Sequence, residues 1–169
     1  MQSVAEFYQA CLDCVAQQPP LDQLLADAAG CVLAEDVRAP FDHPVVAVSA
    51  TDGYAVRSSD LEGATPSTPV TLMVTAEVKA GEVEPGALIE GGAVRIASGA
   101  PLPMGANCVV GLGFTDLGTA DVTVNTHVAV GEFVRYRGED LQAGSTVLRK
   151  GTRLGPAQIA ALAAVGRAR

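Results

Sequence analysis

The chain has no tryptophan and only three tyrosines and four phenylalanines among 169 residues. That removes the aromatic platform on which unpaired nucleobases usually stack. Positive charge is also scarce: 11 Lys and Arg against 19 Asp and Glu leave a net charge of −8, which argues against non-specific nucleic-acid binding. No stretch approaches the roughly 18 unbroken apolar residues of a membrane span, and no basic segment followed by an apolar core opens the sequence, so a cytoplasmic location is expected. Histidine is limited to His43 and His127, far apart in sequence. Of the four cysteines, Cys11 and Cys14 make one C-x-x-C pair with no second to complete a zinc site. Val4, Phe7, Cys11, Cys14 and Val15 share one face at helical spacing, so the thiols are expected to act as small buried hydrophobes. A P-loop is missing, and Gly111-Leu112-Gly113 lacks the third glycine of a dinucleotide fingerprint.

What remains is a chain that is 49% apolar, long enough to bury a core of its own. Its charge is uneven. Seventeen acids and four bases precede Arg135, a net of −13, against two acids and seven bases from there on, a net of +5. Ser3-Val4-Ala5-Glu6 reads as a capping box that opens a helix running to Gln17 and Gln18, where Pro19 and Pro20 stop it. Leu21 to Ala28 reads as a second short helix with Gly30 as its left-handed cap. From Val32 to Arg137 the pattern changes to short apolar runs between Gly, Pro, Asn and Asp, including Val70 to Val74, Val94 to Ala97, Cys108 to Leu112 and Val122 to Val124. This part should be mainly β. Gly155-Pro156 opens a last helix, with Ile159, Leu162 and Ala163 on its apolar face and Gly166 as its cap. The terminal helices are expected to pack on each other, since neither buries its face alone.

Three polar turns carry candidate chemistry. In Ser49-Ala50-Thr51-Asp52-Gly53-Tyr54-Ala55-Val56-Arg57, Asp52 sits on a glycine turn before a short strand whose Tyr54 and Val56 face the core. Such a carboxylate can hold Mg²⁺ with waters and substrate phosphates, or simply stabilise an Asp-Gly turn. In Ser98-Gly99-Ala100-Pro101 a hydroxyl and a backbone N–H can approach an oxyanion, or the segment is a proline-stiffened connection. In Val134-Arg135-Tyr136-Arg137-Gly138-Glu139-Asp140 the guanidiniums suit phosphate or molybdate oxygens, and Asp140 either holds a metal or orients an arginine; a surface ion-pair cluster is the plain alternative.

These three phrases together, supported by Gly30-Cys31-Val32-Leu33-Ala34-Glu35-Asp36-Val37, Gly105-Ala106-Asn107-Cys108-Val109-Val110 and Leu162-Ala163-Ala164-Val165-Gly166, resemble the molybdopterin molybdenumtransferases, the MoeA and gephyrin E-domain family, over about Leu24 to Gly166. The resemblance implies that family's N-terminal region, mainly β with terminal helices. A β-rich, barrel-like domain (49–140) would carry the cleft motifs, inserted in a discontinuous elongated α/β domain (1–48 with 141–169) that has a dimerisation role. It implies transfer of molybdate to the dithiolene of adenylylated molybdopterin with release of AMP, assisted by Mg²⁺. Asp52, Ser98 and Asp140 would be catalytic, Ser98, Gly99, Arg135 and Arg137 would bind oxyanion or substrate, and Asp52 and Asp140 would hold the metal. The implied partners are a second copy, the pterin substrate, and proteins upstream and downstream in cofactor synthesis.

The chain departs from the family phrases at Thr51, where methionine is usual, and at Gly113, where a glutamate is usual. It ends where the family's later domains would begin, so the isolated chain is expected to be inactive. These departures favour an alternative, a non-enzymatic binding or assembly module that keeps the N-terminal fold. A further reading takes Lys79, in Val78-Lys79-Ala80-Gly81, as a carrier lysine for lipoyl or biotinyl attachment; its flanks match neither attachment sequence well.

Overall fold

The computed structural model describes residues 2–16 and 18–169. Two compact units form, one from residues 1–37 and 146–169 and the other from residues 38–145. The chain is mainly β, with a helix near each terminus.

In the first unit, α1 (Val4–Asp13) begins at the expected capping box: Ser3 N–H donates to Glu6 Oε2 at 2.6 Å, and Glu6 N–H to Ser3 Oγ at 3.3 Å. The helix ends sooner than the prolines require. Cys14 caps it, donating its N–H to the carbonyl of Cys11, and the expected stop at Gln17 lies outside the described residues. No residue of α1 is buried, with Val4 87% and Phe7 62% exposed, so the expected packing of the two terminal helices is not made. With none of its residues buried, the helix reaches only as far as its local signals carry it. The expected helix from Leu21 to Ala28 shrinks to a single 3-10 turn, Leu25–Asp27. Its first residue explains why: Leu25 N–H donates to the carbonyl of Ala168 at 2.9 Å, which ties this segment to the chain's last residues instead of to a preceding helical turn. α2 (Pro156–Ala164) starts with proline in its first turn and ends in a Schellman cap, with Gly166 N–H on Ala163 and Arg167 N–H on Leu162. Its buried side is Leu162, which packs toward the Leu25 turn and β9 (Thr146–Leu148).

The second unit is built on a five-stranded sheet. In chain order its strands are β3 (Gly53–Val56), β4 (Val70–Val78), β5 (Gly92–Ile96), β6 (Cys108–Gly111) and β7 (Asp121–Val124), arranged β6-β3-β5-β4-β7. Only β4 and β5 run parallel. Alternate residues divide between two cores: Tyr54, Val56, Cys108 and Val110 lie in one, Ala55, Val109, Val94 and Ile96 in the other. Both faces of the central strands are therefore covered, which is why β3 and the start of β6 read as unbroken apolar runs. After β6 the chain reaches across to β7, where Thr115 bridges Val124 and Asn125 N–H donates to Phe114. Joining the edge strands curls the sheet toward a barrel and protects its open edges.

One expectation changes here, and an unfavoured reading loses ground. Cys11, Cys14 and Cys31 are exposed and only Cys108 is buried, because three of the thiols lie on surfaces that nothing among the described residues covers. Lys79 sits in a turn closed by Glu82 N–H on its own carbonyl, but the flanking strands β4 and β5 are parallel, so it is not at the tip of the hairpin a carrier lysine requires.

Candidate functional site

A strand of two residues organises the site. β2 (Val48–Ser49) pairs antiparallel with β8 (Val134–Arg135), matching Val48 to Arg135 and Ser49 to Val134. On its other side Ser49 donates its N–H to Ala100 at 2.9 Å and accepts from Gly99 N–H at 2.8 Å. Ser49 is only 1% exposed, and its hydroxyl is used twice on the next turn, donating to the Thr51 carbonyl at 2.6 Å and accepting from Thr51 N–H at 3.3 Å. A buried hydroxyl satisfied in this way fixes the path into Asp52.

The first two sequence motifs meet directly. Asp52 Oδ1 accepts the backbone N–H of Ser98 at 2.7 Å, and Ser98 Oγ donates to the carbonyl of Ala50 at 3.3 Å. Both side chains are exposed, and the second oxygen of Asp52 makes no hydrogen bond among the described residues. The following glycine is dictated by packing: a Cβ on Gly53 would lie 2.0 Å from the carbonyl oxygen of Val110 on β6. The Asp-Gly pair thus combines an open carboxylate with a close backbone approach to β6. Gly99 N–H goes to Ser49, so in this arrangement it supports the turn and is not offered to a ligand.

The third motif makes a separate cluster, joined to the first two through β2. Arg135 Nη2 donates to Asp140 Oδ1, and its Nε lies 3.7 Å from Glu139 Oε1. The hydrogen bond it donates to Asp140, then that carboxylate's charge, raises the guanidinium's affinity for its proton. Asp140 Oδ2 is 3.9 Å from His43 Nε2, so both of its oxygens face cationic or protonatable groups. Arg137 Nε donates to Asp42 Oδ2 at 2.6 Å, and Asp42 Oδ1 accepts from Ala143 N–H at 2.7 Å. These bonds, Ala143's first and then Arg137's, hold the Asp42 carboxyl below the usual carboxylate range. Gly138 turns the chain between the two halves with φ at +72°, where a side chain would be strained, and its N–H reaches the Pro44 carbonyl at 3.0 Å.

Asp42, His43 and Ser49 were missed by sequence reasoning. Asp42 meets Arg137 across 95 residues of chain, and no local spacing signals such a pair.

Comparison with known proteins places the chain in a family. The signature described as MoeA N-terminal region (domain I and II) matches residues 2–166. The chain belongs to the MoeA family. It is 40% identical to molybdopterin molybdenumtransferase 2 of Mycobacterium tuberculosis (strain ATCC 25618 / H37Rv) over 166 residues, which is 98% of this chain and 41% of that protein. It is 41% identical to the molybdopterin molybdenumtransferase of Synechococcus elongatus over 136 residues, 80% of this chain and 34% of the relative. The crystal structure of the molybdopterin biosynthesis moeA protein from Pyrococcus horikoshii OT3 superposes with a TM-score of 0.82 at 38% identity, over 86% of this chain and 38% of that one. The chain thus spans between 34% and 41% of the length of these relatives, and it corresponds to the family's N-terminal region.

A resident metal finds little ready-made coordination. Among the described residues no group of three or more His, Cys, Asp or Glu side chains is gathered to hold one. Mg²⁺, however, commonly uses one or two protein carboxylates with waters and substrate phosphates. Asp52, with one oxygen free, fits that use; Asp140, facing Arg135 and His43, fits it poorly.

Proposed function

We propose that this chain is the oxyanion-handling part of a molybdopterin molybdenumtransferase that transfers molybdate to the dithiolene of adenylylated molybdopterin and releases AMP. The observation that carries the reading is the attachment of the Asp52 turn and the Arg135 strand to one short strand, β2, in a member of this family. Arg135 and Arg137 offer the paired N–H donors that match phosphate and molybdate oxygens. Asp140 and Asp42 aim those guanidiniums, so little reorganisation is needed when an anion arrives. The Ser98 hydroxyl stands ready to change partner from Ala50 to an incoming oxyanion. Asp52 is the residue that would hold Mg²⁺, which when bound supplies charge neutralisation at phosphate oxygens. The chain matches 41% of the Mycobacterium relative, and on this reading it forms part of a composite site within a homodimer.

The test is AMP release from adenylylated molybdopterin, dependent on Mg²⁺ and molybdate, by this chain alone and by a form extended with the remaining domains of a relative. Turnover by the extended form only, lost on Asp52→Ala, is the expected result. No turnover by either form would sink the transferase reading and favour an assembly module, for which the residues Thr51 and Gly113 already speak.

A further inference from the structure

Phe133 has a left-handed backbone, φ +54°. A bulky residue there is an outlier, since glycine or asparagine takes this conformation at far less cost. Packing of the ring does not account for it: Phe133 is 39% exposed and belongs to neither core cluster. The conformation closes a turn in which Val134 N–H donates to the Gly131 carbonyl at 3.1 Å, and that turn aims one further carbonyl. Phe133 O accepts the N–H of Ala50 at 2.8 Å, and the next residue, Val134, enters β8 opposite Ser49. The carbonyl of Ala50 in turn accepts from Ser98 Oγ at 3.3 Å. Ala50 is therefore held through both its N–H and its carbonyl just before Asp52, and one of the holding groups lies just before Arg135.

We infer that Phe133 is a positioning residue whose left-handed backbone sets the Asp52 turn against the Arg135 strand. The inference rests on the site proposed above for its purpose, though not for its geometry. Strain retained at one position of a functional segment is expected where the surrounding structure needs that carbonyl more than it needs a relaxed residue. Replacement by a β-branched residue, which resists positive φ most strongly, should release the carbonyl, whereas asparagine should keep it.

The experiment compares Phe133→Val and Phe133→Asn in the full 169-residue chain by amide hydrogen exchange at Ala50, with molybdate titration as a second readout. Exchange about tenfold faster in the valine variant, with the amides of β5 unchanged and the asparagine variant close to the parent, is expected. Molybdate binding should fall in the valine variant and return with asparagine. Equal exchange at Ala50 in both variants would overturn the inference. A split in exchange with no molybdate binding by any form, the parent included, supports the positioning role and counts against the proposed function instead. If Phe133→Val fails to fold, Phe133→Gly decides: it keeps the carbonyl and removes the ring, so parent-like exchange supports the inference and faster exchange, which would implicate the ring, overturns it.

Discussion

The sheet in the unit of residues 38–145 and the helix α1 in the unit of residues 1–37 and 146–169 treat apolar side chains in opposite ways. In the first, both faces of the central sheet are buried, and Tyr54, Ala55, Val56, Val109 and Val110 have no exposed surface. In the second, α1 leaves Val4, Phe7, Tyr8 and Leu12 between 47% and 87% exposed. The sheet owes its stability to pairing between distant segments, and the helix owes its existence to two caps and its own hydrogen bonds. Substitutions should therefore be severe in the sheet and nearly silent in α1. The largest effect is expected from Gly53→Ala. The added Cβ meets the Val110 carbonyl oxygen at 2.0 Å, and neither backbone can move without breaking the β3–β6 ladder. A loss of about 3 kcal/mol in urea unfolding is expected, at the upper end for overpacking because the obstacle is backbone. A loss under about 1 kcal/mol would show that the sheet yields as easily as the helix does.

The cysteines sharpen the same contrast. Cys108 is fully buried beside the Val56 carbonyl, and burial first, then the charges of Glu132 and Asp60, push its thiol up from 9.0 to about 11. Folding therefore favours the protonated thiol. This contribution is intact below pH 9 and is lost as pH rises from 9 through about 11, amounting to about 2 kcal/mol at the alkaline end. Stability measured across that range in the parent and in Cys108→Ala checks it, since only the parent should show the added loss. Cys11, Cys14 and Cys31 are exposed, so a chromogenic disulfide at neutral pH should consume these three at once and the fourth only on unfolding.

How far each unit could be read from sequence follows from the same difference. The sheet strands and the turn glycines were legible because alternation and turn residues are local, and because the family phrases fall on β3, the 98–101 turn and β8. The start of α1 was legible in Ser3 and Glu6 for the same reason. Three things were not. The 3-10 turn at Leu25 depends on a hydrogen bond to Ala168, and a window of eight residues contains no trace of it. Asp42 and His43 enter the arginine cluster from the far side of the sequence. The exposure of three thiols depends on what does not cover them, and amphipathic spacing alone predicts a partner without supplying one. In the candidate site, the residues at the turns were readable and the residues that aim them were not.

Ser3→Ala tests the claim that α1 stands on local signals. Removing the hydroxyl takes away the acceptor for Glu6 N–H and should cost the helix about 1 kcal/mol. The loss should be local. Amide exchange along α1 should speed up while exchange in β3 and β5 and the global unfolding midpoint stay unchanged. Acid should mimic the substitution, because Glu6 is held low chiefly by its bond from the Ser3 backbone. The capping contribution is present above the ordinary carboxylate range and fades as pH falls through the lowered value. A matching drop in the global midpoint would mean that α1 is part of the cooperative unit after all.

The smallest effect is expected where an apolar residue is most conspicuous. Phe7 lies in the middle of α1 and is 62% exposed, so its ring gives up little water-accessible area on folding. Phe7→Ser changes helix propensity only slightly, because aromatic residues and serine rank close together in helices. The expected change in unfolding free energy is within about 0.5 kcal/mol. A destabilisation of about 2 kcal/mol or more would require that the ring be covered in solution. Dilution then identifies the cover: if the destabilisation vanishes as protein concentration is lowered, a second copy supplies it, and if it persists, α1 folds back on its own chain. Either result would remove the contrast between the two units, since the helix would then depend on distant packing as the sheet does.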